Sequence, residues 1–174
     1  MIAEAYPQQT CHFDCDQFSK YSHAERLIRI KNAMAAGDPA RIESEENPRH
    51  WYGWDDINLA LTELRNKGGF SYNQGWNKET GERDKNYSIS TPTEGPSLVL
   101  CDGIYLLHPP VRHLLDVTLY VDVPFSVTID RGQRRMRDSE RTSYMEKLHR
   151  TYSLPYFAEH ASETDWIYAD ESAQ

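Results

Sequence analysis

Ser97-Leu98-Val99-Leu100-Cys101-Asp102-Gly103 is the stretch on which the fold turns. A short apolar run that stops at an acid and a glycine reads as a buried parallel strand carrying Asp102 at its carboxyl end. Upstream, Thr10 to Cys15 (T-C-H-F-D-C) is a second short strand, also ending among acids. Downstream, Val117 to Val123 (V-T-L-Y-V-D-V) is a third, with Pro124 placed to open a helix, and Asp165-Trp166-Ile167-Tyr168 is a last one. Helical patterns lie between them. Ser22 with Glu25 forms a capping box, Leu27, Ile30 and Met34 follow at helical spacing, and Gly37 stops them. Trp54, Ile57, Leu61 and Leu64 make a second stripe that ends at Gly68-Gly69. Strands alternating with helices predict an α/β fold around a parallel sheet.

Composition bounds the function. The chain has 174 residues, the length of one domain, with 19 Lys+Arg against 27 Asp+Glu and a formal charge of −8. That balance argues against a general nucleic-acid or membrane-surface binder. Leu, Ile, Val and Phe together make 33 residues, a thin aliphatic core that 4 Trp and 11 Tyr must supplement. Three cysteines, Cys11, Cys15 and Cys101, give no disulfide framework, and no apolar run reaches membrane-spanning length. The N-terminus has no secretory pattern, so a cytoplasmic protein is expected.

Three places can carry chemistry. His12-Phe13-Asp14-Cys15-Asp16-Gln17-Phe18 brings two carboxylates to a strand end, where ligands of open α/β sheets gather and where a carboxylate can take a hydroxyl proton or hold Mg²⁺. Cys11, His12 and Cys15 lack an evident fourth zinc ligand. Asp102 is placed to support Mg²⁺. Residues 131–150 hold seven cations against three acids, a local +4 in a chain of −8, as expected either of a salt-bridged helix or of a phosphate clamp. Between these lies the polar, aromatic stretch 70–96, with Thr80-Gly81 set to turn an irregular hairpin.

The order of these pieces resembles the uridine kinase and phosphoribulokinase group of P-loop kinases. Asp16-Gln17-Phe18-Ser19 is similar to the group's D-x-F-Y segment, Asp102-Gly103-Ile104 to its E-G-I, and Tyr120-Val121-Asp122 to its F-V-D strand. Arg134-Arg135-Met136-Arg137-Asp138 resembles its R-R-x-x-R-D lid, and Thr164-Asp165-Trp166-Ile167 its late strand. The resemblance implies a single kinase-like domain over residues 1–174 that moves the γ-phosphoryl group of ATP, with Mg²⁺, to a hydroxyl of a small molecule, a nucleoside or a phosphosugar. It implies Asp16 as the base, with Asp102 and Asp16 on the metal. Arg135 and Arg137 become catalytic, and Arg134, Arg137 and Arg141 hold the nucleotide phosphates. Tyr72, Trp76 and Arg83 are acceptor-site candidates, by stacking and by a polar or phosphate contact.

Two departures stand out. Asp102 is a methylene shorter than the group's glutamate, and G-x-x-x-x-G-K-[ST], the phosphate loop, occurs nowhere in the sequence. The resemblance therefore implies an N-terminally truncated kinase without its first strand and phosphate loop, impaired or inactive as it stands. It also implies a gap between Thr10–Cys15 and Ser97–Asp102 and self-association through an open sheet edge. The rival expectations are a noncatalytic binding module and a kinase acting on a modified base in DNA.

Overall fold

A computed structural model describes residues 9–93, 95, 97–135 and 139–169, with the side chains of residues 135 and 139–142 left aside. The chain divides into two compact units that meet at Leu114 and Leu115. Each is described by itself.

The first unit begins with β1 (Thr10–Asp14), a 3-10 turn (Cys15–Phe18), α1 (His23–Ala36) and α2 (Pro39–Glu46). A second 3-10 turn (Pro48–Trp51) leads to α3 (Trp54–Lys67), β2 (Gly69–Gly75), β3 (Lys85–Ser90), β4 (Leu98–Asp102) and the short α4 (Pro109–Arg112). Local chemistry sets most of these bounds. The Ser22 hydroxyl accepts from the Glu25 N–H at 3.1 Å, and the Ser22 N–H donates to the Glu25 carboxylate at 2.7 Å, the reciprocal pair that starts α1. Asp38 accepts from the N–H groups of Ala40 and Arg41 and, with Pro39 in the first turn, starts α2. α3 stops at Gly68, whose φ of 71° suits glycine, and an added Cβ there would lie 2.9 Å from the Thr91 hydroxyl. Arg29 grips Glu45 with two bonds of 2.8 and 2.7 Å and so ties α1 to α2.

β1 and β4 pair in parallel over five residues, from Thr10 opposite Leu98 to Asp14 opposite Asp102. The expected gap between these two strands is therefore corrected: each is the other's neighbour. β2 and β3 form an antiparallel hairpin with a register shift between Tyr72 and Gly75. The core lies where the 3-10 turn meets α3 and the hairpin. Phe13, Phe18, Ile57 and Ala60 are fully buried, and Phe18 stacks on Phe13 at 5.2 Å and on Tyr72 at 5.0 Å. Each such phenylalanine contributes about 1.5–3 kcal/mol by leaving water. The run Leu98-Val99-Leu100 is half-buried at most, unlike the enclosed strand its apolar sequence predicts. With one neighbouring strand among the described residues, it is covered from one edge only.

The second unit holds β5 (Leu119–Asp122), α5 (Phe125–Arg135), α6 (Ser139–Leu148), a π-helical turn (His149–Ser153), α7 (Leu154–His160), a 3-10 turn (Ala161–Glu163) and β6 (Trp166–Ala169). β5 and β6 pair in parallel, Leu119 opposite Trp166. Asp165 fastens the start of this ribbon by accepting from the Thr118 N–H at 2.7 Å and its hydroxyl at 2.8 Å. Among the described residues no helix is long and apolar enough to cross a membrane.

Candidate active site

Because β1 and β4 run in the same direction and end in register, Asp14 and Asp102 arrive side by side at their carboxyl ends. Two residues further, Asp16 projects from the 3-10 turn that Asp14 itself caps. The Asp14 carboxylate accepts from the Asp16 N–H at 2.9 Å and from the Gln17 side chain at 2.8 Å. Lys78, on the loop between β2 and β3, brings its ammonium group to 3.4 Å from Asp14 and 3.8 Å from Asp16. The Tyr52 hydroxyl donates to the other Asp16 oxygen at 3.3 Å. His12, two residues before Asp14 on the strand, meets the Asp102 carboxylate at 2.5 Å.

The two neighbouring acids are driven apart in proton affinity. For Asp14, burial opposes the charge, but Gln17, Lys78 and the Asp16 N–H outweigh it and hold the carboxyl below its ordinary range. For Asp16, burial and then the Asp14 charge raise it, and Lys78 and Tyr52 offset only part of that. Asp14 is thus a committed anion that shapes the turn, and Asp16 is the better proton acceptor of the pair. Cys15 is buried beneath the turn, and burial pushes its thiol far up. Cys101 is pushed up to about 12 for the same reason, which disfavours the thiolate form at both positions. Gly103 passes so close to Cys15 that an added Cβ would sit 3.0 Å from the cysteine Cβ, which is why glycine follows Asp102.

The structure brings Asp16 and Asp102 to the same strand ends. It gathers Tyr72, Trp76 and Arg83 on the hairpin, each with protein partners. The Tyr72 hydroxyl donates to Asp56 at 3.1 Å, and its ring lies in the Phe18 stack. Arg83 donates to Tyr72, Gln74 and the Lys20 carbonyl at 3.2, 2.8 and 3.0 Å. The Trp76 N–H donates to the Gln17 carbonyl at 2.9 Å, and the Arg26 guanidinium stands 5.8 Å from its ring. Arg134 lies on α5 and pairs with Asp130 at 2.8 Å, and Arg135 is the last residue of that helix. Arg137 and the Arg141 side chain lie outside the described residues. Among the described residues no cluster of three or more His, Cys, Asp or Glu could hold a metal by itself. Sequence reading passed over Lys78 and Tyr52. Both sit in segments far along the chain from Asp16, and no local pattern announces them.

No family model matches the chain. Solved structures do resemble it. A "possible uridine kinase" from Bacillus stearothermophilus superposes with a TM-score of 0.66 at 11% identity, covering 96% of this chain and 77% of that one. Phosphoribulokinase from Rhodobacter spheroides gives 0.63 at 14% identity, over 97% of this chain and 62% of that enzyme. A candidate fructose transport system kinase from a Silicibacter species gives 0.56 at 13% identity, over 95% of this chain and 77% of that one. At such identities the likeness is one of fold: this is an α/β chain whose parallel sheet pieces resemble those of these kinases.

Proposed function

We propose that this chain is the acceptor-and-base part of an ATP-dependent phosphotransferase of the uridine kinase-like kind, acting on a hydroxyl of a nucleoside or phosphosugar. The observation that carries the reading is the unequal acid pair at the joint end of β1 and β4, with Asp16 held ready for a proton and Asp14 fixed as an anion beside it. Asp16 takes the proton of the acceptor hydroxyl as that oxygen attacks phosphorus, the role a general base has in such transfers. Lys78 keeps the acidic cluster from repelling an incoming phosphate.

Mg²⁺ in such sites is held by one or two carboxylates, with water and phosphate oxygens completing its shell. Asp102, 66% exposed in its side chain, and Asp16 fit that sparing demand, and the ion would neutralise charge on the transferring group. Arg134, Arg135, Arg137 and Arg141 are the candidates for the nucleotide phosphates. The sequence contains no G-x-x-x-x-G-K-[ST] cradle, so on this reading the chain by itself transfers phosphate at a measurable but much reduced rate. That same feature favours a second reading, a binding module that recognises the acceptor without transferring phosphate.

Transfer from γ-labelled ATP with MgCl₂ to a panel of nucleosides and phosphosugars, beside calorimetric binding of the same panel, separates the two. Transfer that falls at least about a hundredfold in Asp16→Asn while acceptor binding persists supports the base role. Acceptor binding with no transfer supports the binding module. Neither binding nor transfer with any panel member removes both.

A further inference from the structure

We infer that Tyr52 is the positioning residue that aims the Asp16 carboxylate. This rests on the phosphotransferase reading only for its consequence, and on geometry for its substance. Asp16 sits on a four-residue turn with its side chain half exposed, so nothing in its own backbone fixes where the carboxylate points. Tyr52 comes from another part of the chain, and its approach is held by backbone bonds. The Lys20 N–H donates to the Trp51 carbonyl at 2.6 Å, and the Gly53 N–H donates to the Phe18 carbonyl at 2.8 Å. Between them Ser19 and Tyr52 form an antiparallel bridge. The segment 51–53 is therefore stitched to 18–20, directly after the turn that bears Asp16.

The ring is held as firmly as the backbone. Tyr52 meets Trp54 at 5.3 Å and the buried Tyr105 edge-on at 6.2 Å, while Trp54 packs on His108 at 4.9 Å and donates to the Arg49 carbonyl at 2.7 Å. Tyr105 follows β4 by three residues, so the side chain that reaches Asp16 also packs on the segment just after Asp102. The charges around Asp16 are Asp14, Lys78 and Asp102. Tyr52 holds one oxygen and Lys78 stands beyond the second. The 3.3 Å contact is long for an O–H···O bond, and such contacts at catalytic groups tighten when ligand arrives.

Tyr52→Phe removes the hydroxyl and leaves the ring. In the full 174-residue chain, NMR reads the three-bond couplings to the Asp16 Hβ protons from its Hα and its backbone carbonyl carbon, which report the χ1 rotamer. We expect one staggered rotamer in the wild type and averaged couplings in Tyr52→Phe, with an unchanged melting temperature. From the other side, Asp16→Ala should move the ζ-carbon resonance of Tyr52. Unaltered Asp16 couplings in Tyr52→Phe, or an unmoved ζ-carbon in Asp16→Ala, overturns the inference. Where transfer from γ-labelled ATP is measurable, Tyr52→Phe lowers kcat about fivefold to tenfold with KM within twofold. A raised KM with unchanged kcat would instead make Tyr52 a binding residue. Absence of transfer in the wild type counts against the phosphotransferase reading alone, because the two resonances decide the positioning without it.

Discussion

The two parallel ribbons of this molecule are both short and partly apolar and differ in how much covers them, although in the first Leu98 is itself 43% exposed. β1 and β4 belong to a unit whose centre is closed: Phe13, Phe18, Ile57, Ala60 and Val111 have no exposed surface. β5 and β6 carry residues just as apolar, yet Leu119 is 56% exposed, Val121 50%, Trp166 67% and Tyr168 59%. Leu119 pairs with Trp166 and Val121 with Tyr168, so the four share one face of the ribbon. In that unit Tyr156 and Leu148 are the large buried side chains among the described residues. Apolar sequence alone therefore does not make a buried strand; layers on both faces do, and parallel strands ordinarily have them.

The sharpest way to break this contrast is to truncate one ring on each side of it. Phe18→Ala should cost about 3–5 kcal/mol, a large part of the roughly 5–15 kcal/mol of a typical domain, because it opens a cavity inside an aromatic stack. Trp166→Ala, at a larger ring, should change stability by no more than about 0.5 kcal/mol. Urea unfolding of both variants gives the comparison. A Trp166→Ala loss as large as that of Phe18→Ala would mean that the exposed face is covered in solution, and sedimentation would then show association that Trp166→Ala abolishes.

A middle-sized effect should appear with acid. The Asp14 carboxyl is held below its ordinary value, so its contribution is present above about pH 4 and is lost as pH falls through its folded value. Asp16 is raised and has the reverse sign: the folded state takes up its proton first and gains relative stability as pH falls through that higher value. Urea midpoints from pH 7 to pH 3 should fall less steeply at the acid end in Asp14→Asn than in the wild type. An identical acid limb would remove Asp14 from the turn's support.

The smallest effects compare surface devices in the two units. Ser22→Ala breaks the capping box of α1 and should cost about 1 kcal/mol. Arg134→Ala removes an exposed pair with Asp130 on α5 and should cost no more than about 0.5 kcal/mol. Thermal melts of the two variants rank them, and a larger loss in Arg134→Ala would show that the arginine helix depends on its ion pairs.

What could be read from the sequence was what is decided nearby. The capping box at Ser22, the glycine stop at Gly68 and the helix after Pro124 are written within a few residues, and they are found where expected. The Asp38-Pro39 start of α2 is equally local and went unread. The pairing of β1 with β4 was misjudged because strand neighbours are chosen by the whole topology rather than by either strand. The candidate site divides in the same way. Asp16 and Asp102 stand in short ordered motifs, whereas Tyr52 and Lys78 reach the acids from 36 and 64 residues away along the chain.

That separation bears on how the site comes into being. His12 and Asp102, which meet at the two strand ends, are 90 residues apart in sequence. Closing so long a loop costs entropy before any contact rewards it, and parallel pairing across it is among the slow events of folding. The capped helices between can form early from their own short-range signals. Asp102 joins Asp14 and Asp16 only when that long crossover closes, so a nascent or nicked chain can hold most of its helices and not the assembled candidate site.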